Sequence, residues 1–231
     1  MALIIRTLGV PSLFISSNRS APLSLRYRKG YVLIAYLLAE RNKWHSREYL
    51  SSLLWPDLSL DSAKTNLRQI LKSIIDVIKS SCDKSNLRVE RDRVGLFPDE
   101  SIISDLLFFD DTTYRQLSEI KKTSNFNPFL FKAEFFFETI DGDFLSGIDS
   151  DDELGDWLQQ QRAFVFKARN IFLEELTETA KHCNNIELAI RIARLWVSAS
   201  PALDQPVQSL MTLLSIPVSY THLRAHETLR H

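Results

Sequence analysis

The segment SLDSAKTNLRQILKSIIDVIKS, residues 59–80, predicts a long helix with one apolar face. Its apolar residues recur at the three- and four-residue spacing that places side chains on one side of a helix. They are Ala63, Leu67, Ile70, Leu71, Ile74 and Ile78. Ser59 is a suitable N-cap, because its hydroxyl can accept a hydrogen bond from the first turn. The opposite face is polar and basic, and it carries Lys64, Thr65, Arg68, Gln69 and Lys72.

Shorter elements flank this helix. Residues 3–5 and 13–15 predict two strands, and residues 16–22 predict a polar turn. Two further helices are expected over residues 27–40 and from an N-cap at Ser46 to the stop at Trp55-Pro56-Asp57. Residues 87–89 and 94–96 alternate around Arg91 and Asp92, which predicts a hairpin with Arg88, Arg91 and Arg93 at or near its tip. Strands, three helices and a hairpin form the layout of a winged helix-turn-helix, so the predicted class of the first domain is α+β.

The second half has a different character. Residues 125–144 contain seven phenylalanines. We interpret the cluster around Phe129–Phe137 as the seam between two domains, with a ligand pocket as the alternative. Helices are predicted over residues 114–121, 154–181, 186–199 and 203–214. The apolar face of the longest consists of Trp157, Phe164, Val165, Ala168, Phe172, Leu176 and Ala180. This succession is typical of a tetratricopeptide array with a period of about 34 residues, although only one full repeat fits.

The composition excludes several classes of protein. The chain has 231 residues, of which 45% are hydrophobic, so it can bury a core and is not disordered throughout. No apolar run approaches the roughly 20 residues that span a bilayer, so no membrane partner is expected. Cys82 and Cys183 are too few and too far apart for a disulfide scaffold or a thiolate zinc site.

The net charge of −1 is a cancellation between two halves. Residues 1–100 carry 16 Lys and Arg against 10 Asp and Glu, a net of +6, while residues 101–231 carry 12 against 19, a net of −7. A basic half next to an acidic half is expected when one domain meets a polyanion, and random fluctuation is the alternative.

Several motifs in this order resemble a known family. SREYL at 46–50, LLWPD at 53–57, AKTNLRQ at 63–69 and VERDRVGL at 89–96 resemble the OmpR-like winged helix of the SARP (AfsR-like) bacterial transcriptional regulators. DFLSG at 143–147 and WLQQQR at 157–162 resemble the bacterial transcriptional activator domain of the same family, which is built from tetratricopeptide helices.

The resemblance implies a cytoplasmic bacterial transcription regulator. Residues 1–105 would bind double-stranded promoter DNA, and residues 106–215, an incomplete helical domain, would mediate dimerisation or contact with RNA polymerase. Residues 216–231, with PVSYTHLRAHET at 217–228, resemble a translated sequencing adapter, so we expect a non-native tail and a truncated gene.

The third helix is then the recognition helix, with its N-terminal half in the major groove. The Arg68 side chain can form hydrogen bonds with guanine, and that of Gln69 with adenine. Lys64 and Lys72 are better matched to phosphates, and Thr65 lies on the same face. Arg91 and Arg93 on the hairpin are expected at the minor groove or its phosphates, and Arg28 and Lys29 are weaker phosphate candidates. The alternative for each is an ordinary solvated surface residue.

One departure from the family favours a second interpretation. Family members commonly continue the recognition helix with an arginine-rich stretch, but here Lys72 is followed by Ser73, Ile74, Ile75 and Asp76. Fewer cations mean fewer phosphate contacts and weaker binding. The alternative function is a protein-interaction scaffold with a degenerate winged helix that does not bind DNA.

The sequence lacks the motifs typical of enzymes, cofactor sites and metal sites, so no catalytic, cofactor-binding or metal-binding residue is predicted. The six glycines are too scattered for a phosphate-binding loop, and no Gly-x-Ser-x-Gly elbow occurs. The acidic run at 149–153 lacks the glycine and the final glutamate of an EF-hand. His226, Glu227 and His231 do not have zincin spacing, and they lie in the adapter-like tail.

Overall fold

The computed structural model describes residues 2–81, 86–126, 129, 136–138 and 140–227 of the chain. The N-terminal end is a mixed α/β region of strands and helices, and a region of several helices follows it. This confirms the predicted order of an α+β region before an all-helical one.

A four-stranded sheet contains β1 (Leu3–Arg6), β2 (Ser12–Ile15), β3 (Asn18–Leu23) and β7 (Ile102–Ser104) in the order β3-β2-β1-β7. The polar turn predicted over residues 16–22 is wrong, because β3 occupies most of it and pairs antiparallel with β2. Only a two-residue turn at 16–17 separates the strands. A polar strand at a sheet edge lacks the apolar alternation by which strands are recognised in a sequence.

Three helices follow: α1 (Arg28–Ala39), α2 (Arg47–Leu54) and α3 (Leu60–Ser81). The Ser46 hydroxyl accepts hydrogen bonds from the backbone nitrogens of Glu48 and Tyr49, and Ser59 accepts one from Ser62, so both predicted caps are confirmed. Every residue of the predicted apolar stripe of α3 is at most 3% exposed. Burial of this stripe anchors α3 and leaves its other face outward.

A second, antiparallel sheet contains β4 (His45–Ser46), β6 (Arg93–Leu96) and β5 (Leu87–Val89) in that order. The predicted hairpin is β5–β6, with Val89 opposite Val94. A Cβ atom at Gly95 would lie 2.6 Å from the carbonyl oxygen of Lys43, so only glycine fits where the chain before β4 crosses β6.

The described chain divides into two compact units. Unit 1 consists of Met1–Leu107 and Gly142–Val165, and unit 2 consists of Phe108–Asp141 and Phe166–His231. The packed core of unit 1 thus extends beyond the predicted boundary at residue 105 and includes a segment from the predicted helical domain.

Residues 142–149 belong to unit 1 through backbone contacts with the chain after β1. Leu145 donates its amide to the Thr7 carbonyl at 2.8 Å, and Gly9 donates to the Asp143 carbonyl at 2.9 Å. A Cβ atom at Gly142 would lie 2.4 Å from the Gly9 nitrogen. The DFLSG motif therefore packs against the N-terminal segment.

The helical region contains α4 (Asp111–Thr123), α5 (Glu153–His182), α6 (Ile186–Ala199) and α7 (Asp204–Glu227). Helix α7 continues past the predicted end at residue 214. Phe164 is 56% exposed, so its assignment to the apolar face of α5 is wrong. Neighbouring helix residues point about 100° apart, so Phe164 cannot share the buried position of Val165, which is predicted on the same face and is 2% exposed.

Of the described phenylalanines in residues 125–144, four are buried in unit 2, and the fifth, Phe144, is buried in unit 1. The four are Phe126, Phe129, Phe136 and Phe137. The rings of Phe108 and Phe136 stack with centroids 4.9 Å apart, and Phe172 of α5 lies 5.4 Å from Phe136. Phe129 lies 6.2 Å from Phe108. Phe131 and Phe135 lie outside the described residues, and the role of this segment as an interdomain seam stays a prediction.

Candidate nucleic-acid interface

The outward face of α3 brings together four of the seven predicted site residues. Thr65, Arg68, Gln69 and Lys72 are exposed and follow one another at i, i+3, i+4 and i+7, which is one side of a helix. Within the described part of the chain, Arg68 and Lys72 have no ion pair or hydrogen bond. Their charges are therefore available to a partner.

Lys64 differs from its neighbours, because it lies at the side of α3 that faces α2. Its ammonium is 3.4 Å from a carboxylate oxygen of Glu48, and its side chain is only 32% exposed. In the free protein Glu48 therefore neutralises part of the positive charge of Lys64, the residue that the sequence analysis predicts to contact a phosphate.

Gln69 is held by a residue from outside the helix. The hydroxyl of Tyr27, at the start of α1, donates a hydrogen bond to Gln69 Oε1 at 2.9 Å. One turn further along α3, the Ser73 hydroxyl accepts a hydrogen bond from the backbone nitrogen of Arg26 at 3.4 Å. The segment that links β3 to α1 therefore lies along the outer side of α3.

A shallow groove separates this segment from the helix. It is lined by Ser24, Arg26, Tyr27, Gln69, Lys72, Ser73, Asp76 and Val77. Arg26 and Lys72 contribute positive charge to the groove, and Asp76 contributes the only negative charge among these residues. Sequence analysis did not select Arg26, because no local pattern indicates that the chain before α1 returns to α3.

The β5–β6 hairpin presents its two predicted arginines differently. Arg91 is exposed in the turn and has no ion pair within the described residues. Arg93 Nε donates to a Glu90 carboxylate oxygen at 2.6 Å, and its guanidinium lies 4.4 Å from the centroid of the Trp44 ring. The hydrogen bond from Arg93 to Glu90 raises the pKa of the arginine. Arg93 thus maintains the hairpin, and Arg91 is the accessible cation.

The first turn of α2 connects the hairpin with α3. The Arg47 backbone nitrogen donates to the Asp92 carbonyl at 2.8 Å, and the Arg47 guanidinium donates to the Glu90 carbonyl at 3.2 Å. Its neighbour Glu48 contacts Lys64 of α3. Both candidate surfaces are therefore fixed to the same helical turn within unit 1.

The two weaker candidates are used internally. Arg28 donates to the carbonyl of Gly147, and Lys29 donates to the carbonyl of Leu54. The Lys29 ammonium also lies 5.3 Å from the centroid of the Trp55 ring, and burial lowers its pKa. Neither cation is presented to a partner in the way that Arg68 and Lys72 are.

The described residues also bear on two other kinds of site, metal centres and membrane spans. Among the described residues, no group of three or more His, Cys, Asp and Glu side chains is arranged to hold a metal ion. In the same part of the chain, no helix is long and apolar enough to cross a membrane. The side chains of His222 and His226, and all of His231, lie outside the described residues.

Comparison with known proteins adds no assignment. No protein-family model matches the sequence, and no curated protein matches it. Evidence for function lies in the geometry of unit 1 and in the motifs of the sequence.

Proposed function

We propose that the chain is a DNA-binding transcriptional regulator whose α1–α3 and β5–β6 hairpin act as a winged helix-turn-helix. The order of elements supports this proposal: a sheet, three helices and a two-stranded hairpin that is tied back to α2. In this arrangement α3 is the recognition helix, because among α1, α2 and α3 it is the one that combines a buried stripe with a polar, cationic outer face.

The observation that carries the proposal is a pair of cations, Arg68 and Lys72, on one exposed face of α3, neither of which has an ion pair among the described residues. The major groove of B-DNA is about 12 Å wide and admits one helix. Arg68 has the forked donors that match the O6 and N7 acceptors of guanine, and Lys72 is suited to a phosphate. Arg91 adds a cation on the hairpin for a second backbone contact.

The helical region supports a role in assembly with a second copy or with RNA polymerase. Helices α5, α6 and α7 follow one another through short turns, as tetratricopeptide helices do. The outer side of α7 exposes Val207, Met211 and Leu214 at helical spacing. Exposed apolar residues in such a row are typical of a surface that packs on another helix.

The test is fluorescence anisotropy of the full-length chain with labelled duplex DNA of mixed sequence over a salt series. Electrostatic binding weakens with salt, with a slope of about −0.9 per phosphate neutralised. We expect Arg68→Ala with Lys72→Ala to abolish binding. Arg191→Ala with Arg194→Ala is the matched control, since it removes two exposed cations from α6 of unit 2. Absence of binding at low salt would overturn the proposal.

The second candidate is a protein-interaction scaffold whose winged helix no longer binds DNA. It is favoured by the pairing of Lys64 with Glu48 and of Arg93 with Glu90, and by exposed Asp76 one turn after Lys72. These features reduce the cationic surface. A folded chain that self-associates in sedimentation experiments, yet binds no DNA at low salt, would support this candidate over the first.

A further inference from the structure

The hydrogen bond from the Tyr27 hydroxyl to Gln69 Oε1, 2.9 Å long, fixes the carboxamide of an exposed residue on the outer face of α3. We propose that Tyr27 is a positioning residue that orients the Gln69 amide to recognise adenine in the major groove. The inference rests on the proposed DNA-binding function and assigns one position of its specificity.

The chemistry of the carboxamide makes its orientation decisive. Adenine presents an N6 donor and an N7 acceptor side by side in the major groove. Gln69 matches them only when Oε1 faces N6 and Nε2 faces N7; an amide turned by 180° presents the opposite pattern. In the structure the Tyr27 hydroxyl donates to the oxygen, so the oxygen is the end of the amide that lies toward α1. The oxygen has two acceptor sites, so one remains for N6 and both Nε2 hydrogens remain available.

Tyr27 is itself held firmly against the helix. It is half-buried at the N-cap of α1 with an extended backbone, and its carbonyl accepts a hydrogen bond from the Gly30 amide at 2.9 Å. The preceding residue, Arg26, donates its backbone N–H to Ser73, one turn along α3 from Gln69. The Arg26 guanidinium lies 5.4 Å from the centroid of the Tyr27 ring.

A side chain oriented before binding loses less rotamer entropy when the complex forms. A bidentate glutamine–adenine pair discriminates against other bases by roughly 5- to 150-fold. We therefore expect Gln69→Ala to lose that preference at one base pair. Tyr27→Phe keeps the ring and removes only the donor, so it should lose about threefold or more of the same preference.

The experiment starts with selection of bound duplexes from a random library by the full-length chain. Competition anisotropy then compares the selected duplex with three duplexes that carry the other base pairs at the position sensitive to Gln69→Ala. The comparison is a double-mutant cycle of wild type, Tyr27→Phe, Gln69→Ala and the double variant. Tyr31→Phe is the matched control, because its hydroxyl lies in the same region but contacts the backbone of Leu23 and Leu25.

The inference is supported if Tyr27→Phe reduces adenine preference at that position alone and has no further effect in the Gln69→Ala background. It is overturned if Tyr27→Phe weakens binding equally to all four duplexes, leaves the preference intact, or acts independently of Gln69. It is also overturned if the Gln69-sensitive position does not prefer adenine. Failure of the library to yield any bound duplex would instead reject the proposed function, together with the inference that depends on it.

Discussion

Glu48 and Lys64 form an ion pair between the first turn of α2 and the first two turns of α3, with 3.4 Å between the ammonium nitrogen and a carboxylate oxygen. The glutamate side chain is 65% exposed and that of the lysine 32%, so solvent screens the pair and its contribution to stability is small. Its larger consequence is electrostatic, since it places a carboxylate beside the proposed DNA-binding face.

We therefore expect Glu48→Gln to strengthen DNA binding by several-fold. The substitution removes one negative charge and releases Lys64 for a phosphate, so the salt dependence should steepen by up to about 0.9. Anisotropy titrations of the full-length chain over a salt series measure both quantities. Glu187→Gln on α6 removes an equivalent exposed charge from unit 2 and should leave binding unchanged. Equal titrations for wild type and Glu48→Gln would contradict the assignment of Lys64 as a latent phosphate contact.

Substitutions of the two hairpin arginines should affect different properties, DNA binding for Arg91 and thermal stability for Arg93. Arg91→Ala should reduce the salt slope by about 0.9 and leave the thermal midpoint unchanged, because Arg91 has no partner within the described residues. Arg93→Ala removes the contacts with Glu90 and Trp44, so the thermal midpoint should fall. Calorimetry and anisotropy on both variants make the comparison, and a loss of stability in Arg91→Ala would assign it a structural role instead.

The parts of unit 1 that the sequence predicts correctly depend on neighbouring residues. The apolar stripe of α3, the caps at Ser46 and Ser59 and the turn of the hairpin each follow from a pattern within one element. Helical periodicity and capping are local properties, and the exposed positions of Arg68 and Lys72 follow directly from the stripe.

The parts that the sequence does not indicate depend on pairing between distant segments. Strand β7 lies parallel to β1 across about a hundred residues, and the DFLSG motif joins the chain after β1 through backbone hydrogen bonds. Likewise, Tyr27 reaches Gln69 only because α1 and α3 pack together. Periodicity also cannot tell that, among the described residues, Arg93 has an ion-pair partner while Arg91 has none, since both are exposed residues of one hairpin.

Asp105 is a buried carboxylate at the end of β7 that accepts hydrogen bonds from the chain after β1. It accepts from the Thr7 nitrogen at 2.6 Å, the Thr7 hydroxyl at 2.5 Å and the Leu8 nitrogen at 2.8 Å. Burial raises the pKa of Asp105, and the hydrogen bonds from Thr7 and Leu8 oppose that shift. The carboxylate thus supplies buried hydrogen-bond acceptors for the donors of Thr7 and Leu8, which follow β1.

Asp105→Asn should destabilise the protein by about 2–5 kcal/mol, because both carboxylate oxygens accept backbone N–H groups. Either orientation of the asparagine amide therefore places its NH₂ group opposite a backbone donor, those of Thr7 and Leu8 or that of Leu106. Chemical denaturation of the full-length chain measures the loss. Asp111→Asn, on the exposed surface of α4, serves as the control and should change stability by less than about 0.5 kcal/mol. Equal stability of Asp105→Asn and wild type would show that these hydrogen bonds do not stabilise the sheet.

Arg162, in the WLQQQR motif at 157–162, contacts the loop that contains the DFLSG motif at 143–147. Its Nε donates to the Phe144 carbonyl at 3.2 Å, and its guanidinium donates to the Ile148 carbonyl at 2.7 Å and to the Asp149 carboxylate at 3.0 Å. The side chain thereby holds the loop over residues 142–149, which pairs with the chain after β1.

Arg162→Ala should lower the free energy of unfolding by about 1–3 kcal/mol, since the loop carbonyls lose a charged donor. Hydrogen exchange should accelerate first at the Gly9 and Leu145 amides, because their hydrogen bonds join the loop to the chain after β1. The backbone amides of α3 should exchange at the wild-type rate. Arg162→Lys keeps the charge but not the forked geometry of the donors, so its free energy of unfolding should lie between those of wild type and Arg162→Ala. Lys167→Ala, exposed on the same helix, is the control. Unchanged exchange at Gly9 in Arg162→Ala would mean that the loop is held by its backbone pairing alone.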